Sequence, residues 1–180
     1  VNYRTYRRGT KIATFAGADL SECTGATNAV AKRLAEPAAA IPKDAPSTVN
    51  AVTLRPGEAT TWKSPKGGCA IKWLFAKVAG EDMSAALRNA LLTVECDGIE
   101  TVASPVGDFF GSAPRVTPYT SLPLSVAEDG LMTSAWLMPY QKSATVRIRN
   151  LGKQPIQVTL GVETIAHRWM RDSMYFYAQW

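Results

Sequence analysis

The chain has 180 residues, 46% of them hydrophobic and 19% charged, and a formal net charge of +5. That apolar share supports one domain with a real core and excludes a disordered chain. No apolar run nears the ~18–20 residues of a membrane-spanning helix, and VNYRTYRRGT at the start carries charges where a signal peptide needs apolar residues.

Residues 1–48 read as an N-terminal strand, a helix and a Pro/Ala-rich linker. VNYRTYRRG alternates Val1, Tyr3 and Thr5 on one face, and Gly9 ends it. Leu20, Cys23, Thr24, Thr27, Val30, Ala31 and Leu34 then recur at helical spacing. This predicts one long helix over 18–35, capped by Asp19 or Ser21 and stopped by Pro37. EPAAAIPKDAPST is the linker.

Residues 49–180 read as strands and turns. NAVTLRPGEATTWK gives two short strands around Pro56-Gly57, and CAIKWLFAKVAG gives a central strand. EDMSAALRNA is a helical turn or a loop. ALLTVECDG ends at the Asp97-Gly98 turn, and IETVASP pairs back with it. SLPLSVAEDGLMTSAWLMPY is a hairpin about Asp129-Gly130. ATVRIRN and PIQVTLGVETIAH alternate cleanly, and SMYFYAQW is a last strand. Turns every 8–12 residues are the mark of an all-β antiparallel sandwich of jelly-roll type, here with one peripheral helix. Trp73, Phe75, Leu92, Val94, Trp136, Val146, Ile148, Val158 and Leu160 are the predicted core.

Few residues offer chemistry. The basic cluster Arg4, Arg7, Arg8 and Lys11 reads as edge-strand charge, and no nucleic-acid partner is expected. Cys23, Cys69 and Cys96 show no close pair, so they read as buried free thiols, with one disulfide as the alternative, and no metal or cofactor is expected. The single histidine, His167, reads as a strand residue, and neither a nucleophile elbow nor a phosphate loop is present. Glycoside cleavage needs two facing carboxylates. Among Glu95, Asp97, Glu100, Asp108, Glu128, Asp129 and Glu163, only Asp108 sits in an apolar loop flanked by glycines, PVGDFFG. The plainer role for Asp108 is to accept backbone N–H groups and tie that loop down. Phe109 and Phe110 suit a sugar face, a subunit contact or local core, with extended backbone sending them opposite ways. In MYFYAQW the same alternation puts Tyr175, Tyr177 and Gln179 on one face, with Phe176 and Ala178 toward the interior.

NYRTYRRGTKIATF, SPVGDFFGSAP, SLPLSVAEDGLMTSAWLMPYQKSATVRIRN and MYFYAQW, in that order, resemble a bacterial family first labelled as a domain of unknown function. Part of it is classed as glycoside hydrolase family 172, with difructose-anhydride and arabinofuranosidase-type enzymes. The resemblance implies jelly-roll domains assembled as trimers or dimers of trimers, acting on furanoside-containing carbohydrate with two glutamates. Those glutamates lie in GEGD-type and GTGTEDYF-type segments that this sequence lacks, so no catalytic residue carries over. Tyr177 stands where the family has histidine. The expectation is a domain of a longer parent chain, supplying pocket walls and subunit contacts through Asp108, Phe109, Phe110, Tyr177 and Gln179. The alternative is a non-catalytic carbohydrate-binding or capsid-like assembly domain. The compartment stays open, with secretion or the periplasm among the options.

Overall fold

A computed structural model describes residues 5–36 and 50–180. The two stretches fall into separate compact units, the first ending at Glu36. The predicted linker lies almost wholly outside the described residues, as does the start of the predicted first strand. Residues 5–9 form no strand.

In the first unit the predicted helix is two, α1 (Gly17–Glu22) and α2 (Thr24–Ala35). They part at Cys23, whose φ of −95° and ψ of 5° are not helical. The start also lies earlier than predicted, with Ala16 at the N-cap position and its N–H donating to Asp19 Oδ2 at 2.7 Å. No residue of either helix is buried, and Cys23 is exposed rather than the buried thiol its spacing implied.

The second unit is the sandwich. One sheet contains β1 (Asn50–Leu54), β3 (Cys69–Ala79), β6 (Tyr119–Thr120), β7 (Leu124–Val126), β8 (Met132–Ser134), β9 (Met138–Tyr140) and β11 (Ile156–Ala166). Its order is β1-β11-β3-β8-β7-β6, and β9 pairs β3 beyond β8. The other contains β2 (Ala59–Lys63), β4 (Ala90–Cys96), β5 (Ile99–Pro105), β10 (Ala144–Asn150) and β12 (Ala178–Gln179), in the order β12-β5-β4-β10-β2. All pairings are antiparallel except β12 with β5. Only two residues of the predicted last strand join the sheet.

Side-chain alternation builds the core as the pattern predicted. Val146 and Ile148 of β10 face inward beside Val94 and Leu92 of β4, while Arg147 and Arg149 stay exposed. In β3, Leu74, Ala76 and Val78 join the same core. Trp73 and Phe75 are buried too, but alternation places them on the opposite face of that strand, outside the main cluster. Two predicted core residues differ. Leu160 is only half-buried, and Trp136 is 43% exposed because it falls in the irregular connection between β8 and β9.

Two short helices complete the sandwich. EDMSAALRNA forms α3 (Met83–Asn89), which buries Ala86 and Leu87 and is capped where Asp82 accepts from Ala85 N–H at 3.0 Å. PVGDFFG supplies α4 (Val106–Phe109), which packs on α3.

Candidate functional site

The two glycines of PVGDFFG have different causes. A Cβ on Gly107 would stand 2.9 Å from Leu87 Cβ and 3.2 Å from the Leu87 carbonyl oxygen, so only glycine lets α4 press this closely on α3. Gly111 has a φ of +62°, the left-handed region that favours glycine. Between them the backbone is helical, so Phe109 and Phe110 do not part to opposite faces as extended chain would send them. Both are buried, and their rings meet edge to face with centroids 5.0 Å apart. The Tyr119 hydroxyl donates to the Phe110 carbonyl at 2.6 Å and holds the end of the turn, and burial pushes that phenol up.

The rings continue outward. Phe109 meets Phe176 at 6.5 Å, and Phe176 meets Trp136 at 5.6 Å with planes 33° apart. This ladder starts at Phe110, sealed in the core, and ends at Trp136 on the surface. Its outer members line a cleft of about 290 Å³ together with Ser104, Asp108 and Gln179, and Trp180 stands at its rim, 82% exposed.

The structure brings together three of the five residues singled out from sequence: Asp108, Phe109 and Gln179. Phe110 lies behind them in the core, and Tyr177 is exposed and outside the cleft lining. Trp136 and Phe176 are the residues that sequence reasoning missed as site members. Their signal was the aromatic content of the two family-like segments, read there as core.

Asp108 does not tie its turn down through backbone N–H groups. Its Oδ2 accepts from Arg88 Nη1 of α3 at 3.0 Å, a pair with Arg88 half exposed and Asp108 largely covered. The carboxylate therefore clamps α4 to α3 and stays at the cleft wall. Among the described residues that line the cleft it is the one carboxylate. The arrangement offers an aromatic platform, one acid and one amide; glycoside cleavage needs a second carboxylate.

Asp97 has a different task. It is a turn residue, as read, with φ at +53°. Its carboxylate also accepts from the N–H groups of Gln141, Lys142 and Ser143 at 2.7, 2.6 and 3.0 Å, and from the Tyr175 hydroxyl at 2.9 Å. Burial alone would raise this carboxyl, but the hydrogen bonds outweigh it and hold it below its ordinary value. Tyr175 is thereby held in place, and its ring also meets Trp169 with centroids 4.8 Å apart. His167 follows the end of β11 rather than lying in it, and its Nε2 is buried with no partner among the described residues. No cluster of three or more metal-ligating side chains exists among the described residues.

A second cleft, of about 310 Å³, lies against α3. Asp82, Ala85, Ala86 and Asn89 form one wall, and the Asn150–Ile156 connection forms the other. By helical spacing these α3 residues lie on the face opposite Leu87 and Arg88, which meet α4. Nothing in the sequence reading pointed to it.

A family model described as GH172 domain-like matches residues 45–161. No curated protein matches the chain. The matched span takes in α3, α4 and Trp136 and ends within β11, short of Phe176 and Gln179. Match and fold agree with the resemblance carried by SPVGDFFGSAP and the segment through Trp136, and the chain belongs to the GH172 domain-like family, a group related to glycoside hydrolases.

Proposed function

We propose that this chain is a jelly-roll domain of a glycoside hydrolase-like protein acting on furanoside-containing glycans, and that it contributes pocket walls and subunit contacts rather than a catalytic pair. The aromatic ladder that surfaces at Trp136 carries this reading. A sugar ring has an apolar C–H face that stacks on an indole or phenyl ring, and hydroxyls that need partners at its edge. Trp136 and Phe176 supply the first, Asp108 and Gln179 the second. Leu137, Met174, Tyr177 and Trp180 are exposed apolar or aromatic neighbours of the ladder in the chain, and they support a contact with a further subunit or domain in a trimeric assembly.

One observation favours a second reading, a purely carbohydrate-binding domain: a lone carboxylate in the cleft, already paired with Arg88. The test is a furanoside glycan array, run with the wild-type chain and Trp136→Ala, beside a hydrolysis assay on the same samples. The expected result is binding that Trp136→Ala weakens about tenfold and no turnover by this chain alone. Turnover lost on changing one of the chain's own carboxylates would overturn the proposal. Binding without turnover in any longer form of the protein would select the second reading.

A further inference from the structure

We propose that the polar cleft on the far side of α3 is a second ligand site, built for one neutral polyhydroxylated ring such as a monosaccharide. The choice of a sugar as ligand rests on the glycan reading above; the site itself rests on its own construction.

Asn150 builds the floor. It is fully buried at the end of β10, and both ends of its amide are hydrogen-bonded. Nδ2 donates to the Leu54 carbonyl at 3.0 Å and the Gln154 carbonyl at 2.8 Å, and Oδ1 accepts from Gly152 N–H at 2.8 Å. The Leu151 N–H donates to the Asn89 carbonyl at 2.8 Å, joining the loop to the end of α3. A Cβ on Gly152 would stand 3.1 Å from Asn150 Oδ1 and 3.3 Å from Asn89 Cβ, so glycine lets the loop approach α3 this closely. The two walls are therefore fixed relative to each other before any ligand arrives, which lowers the ordering cost of binding.

The lining keeps polar groups that these bonds leave free. Asn89 Nδ2 donates to the Ala85 carbonyl, but its Oδ1 has no partner among the described residues. Asp82 Oδ1 caps α3, and Oδ2 has no partner among the described residues. Glu81, Lys153 and Gln154 make no side-chain hydrogen bond or ion pair among the described residues. Acceptors and donors thus stand on facing walls, with Ala86 and Ile156 adding apolar surface to the lining. The charged side chains of this lining, Glu81 and Asp82 against Lys153, are of both signs, so the lining is not a dedicated site for an ion of one sign. A hydroxyl both donates and accepts, so a polyol can pair with either kind of group in this lining. The volume is at the small end of the range for small-molecule sites, roughly 300–1,000 Å³, which suits a single ring.

The experiment follows backbone amide shifts of the whole chain during titration with D-fructose, for wild type and for the double variant Lys153→Ala/Gln154→Ala. Both changes fall on exposed positions. The expected result is saturable shifts at Asn89, Gly152 and Gln154, with affinity about tenfold weaker in the variant for two lost hydrogen bonds. Those shifts without any at Ser104 or Gln179 would uphold this site and count against the aromatic cleft. Shifts confined to Ser104, Asp108 and Gln179 would overturn this site and leave the aromatic cleft standing. No shifts at either place, or shifts at Asn89 that the variant leaves unchanged, would overturn it as well.

Discussion

On one side of α3 the walls are rings; on the other they are amides. The aromatic cleft is an outward extension of the core, where Phe110, Phe109, Phe176 and Trp136 pass contact from interior to solvent. The polar cleft is a loop held by one buried asparagine and a few backbone bonds. The first should fail through lost packing and the second through unsatisfied polar groups, and these failures can be separated.

The largest effect belongs to the ring side. Phe110→Ala should cost about 3–5 kcal/mol in urea denaturation, because a fully buried ring leaves a cavity that its neighbours fill only in part. A cost under about 1 kcal/mol would mean that the ladder is not anchored in the core. On the amide side, Asn150→Ala should cost about 2–3 kcal/mol, since the Leu54 and Gln154 carbonyls and the Gly152 N–H lose their shared partner. It should also weaken fructose binding while leaving the Trp136 side intact.

Asp97 sharpens the contrast through pH. Its carboxyl is held below its ordinary value in the folded chain. The stability it confers is therefore complete above the unfolded carboxylate pKa of about 3.9 and is lost as pH falls through the depressed folded value. The gap in unfolding free energy between wild type and Asp97→Asn should be wide at neutral pH and close in acid. A gap that does not change with pH would show that Asp97 acts through shape alone. The smallest effect is at the clamp between the clefts. Asp108→Asn should cost about 1 kcal/mol or less, as expected for a partly exposed ion pair. It should still alter sugar binding on the ring side, where Asp108 lines the wall.

The sandwich was legible in the sequence because period-two alternation reports directly on burial. ATVRIRN predicted inward Val146 and Ile148, and the β4–β10 register places them so. The same pattern could not tell which face of β3 meets the core, so Trp73 and Phe75 were read as central and are buried outside the main cluster. PVGDFFG was misread as extended because its one helical turn depends on Gly107 fitting against Leu87, twenty residues earlier in the chain. Trp136 was misread because large aromatics are usually buried, and nothing local reveals that a strand has ended. The polar cleft was invisible for a related reason. NLGKQP reads as an ordinary turn, and only the bonds from Asn150 and Asn89 show what it faces. The helical period over 18–35 was real, but periodicity says nothing of a partner, and α1 and α2 bury no residue.

The most direct test of the central claim is a calorimetric titration of an arabinofuranosyl disaccharide into the wild-type chain and into Trp136→Ala, with both thermal unfolding midpoints recorded. Stacking on Trp136 predicts saturable binding that weakens about tenfold in the variant, with little change in unfolding midpoint because the residue is 43% exposed. Equal affinity in the two proteins, or no heat of binding in either, would contradict the assignment of this cleft to furanosides.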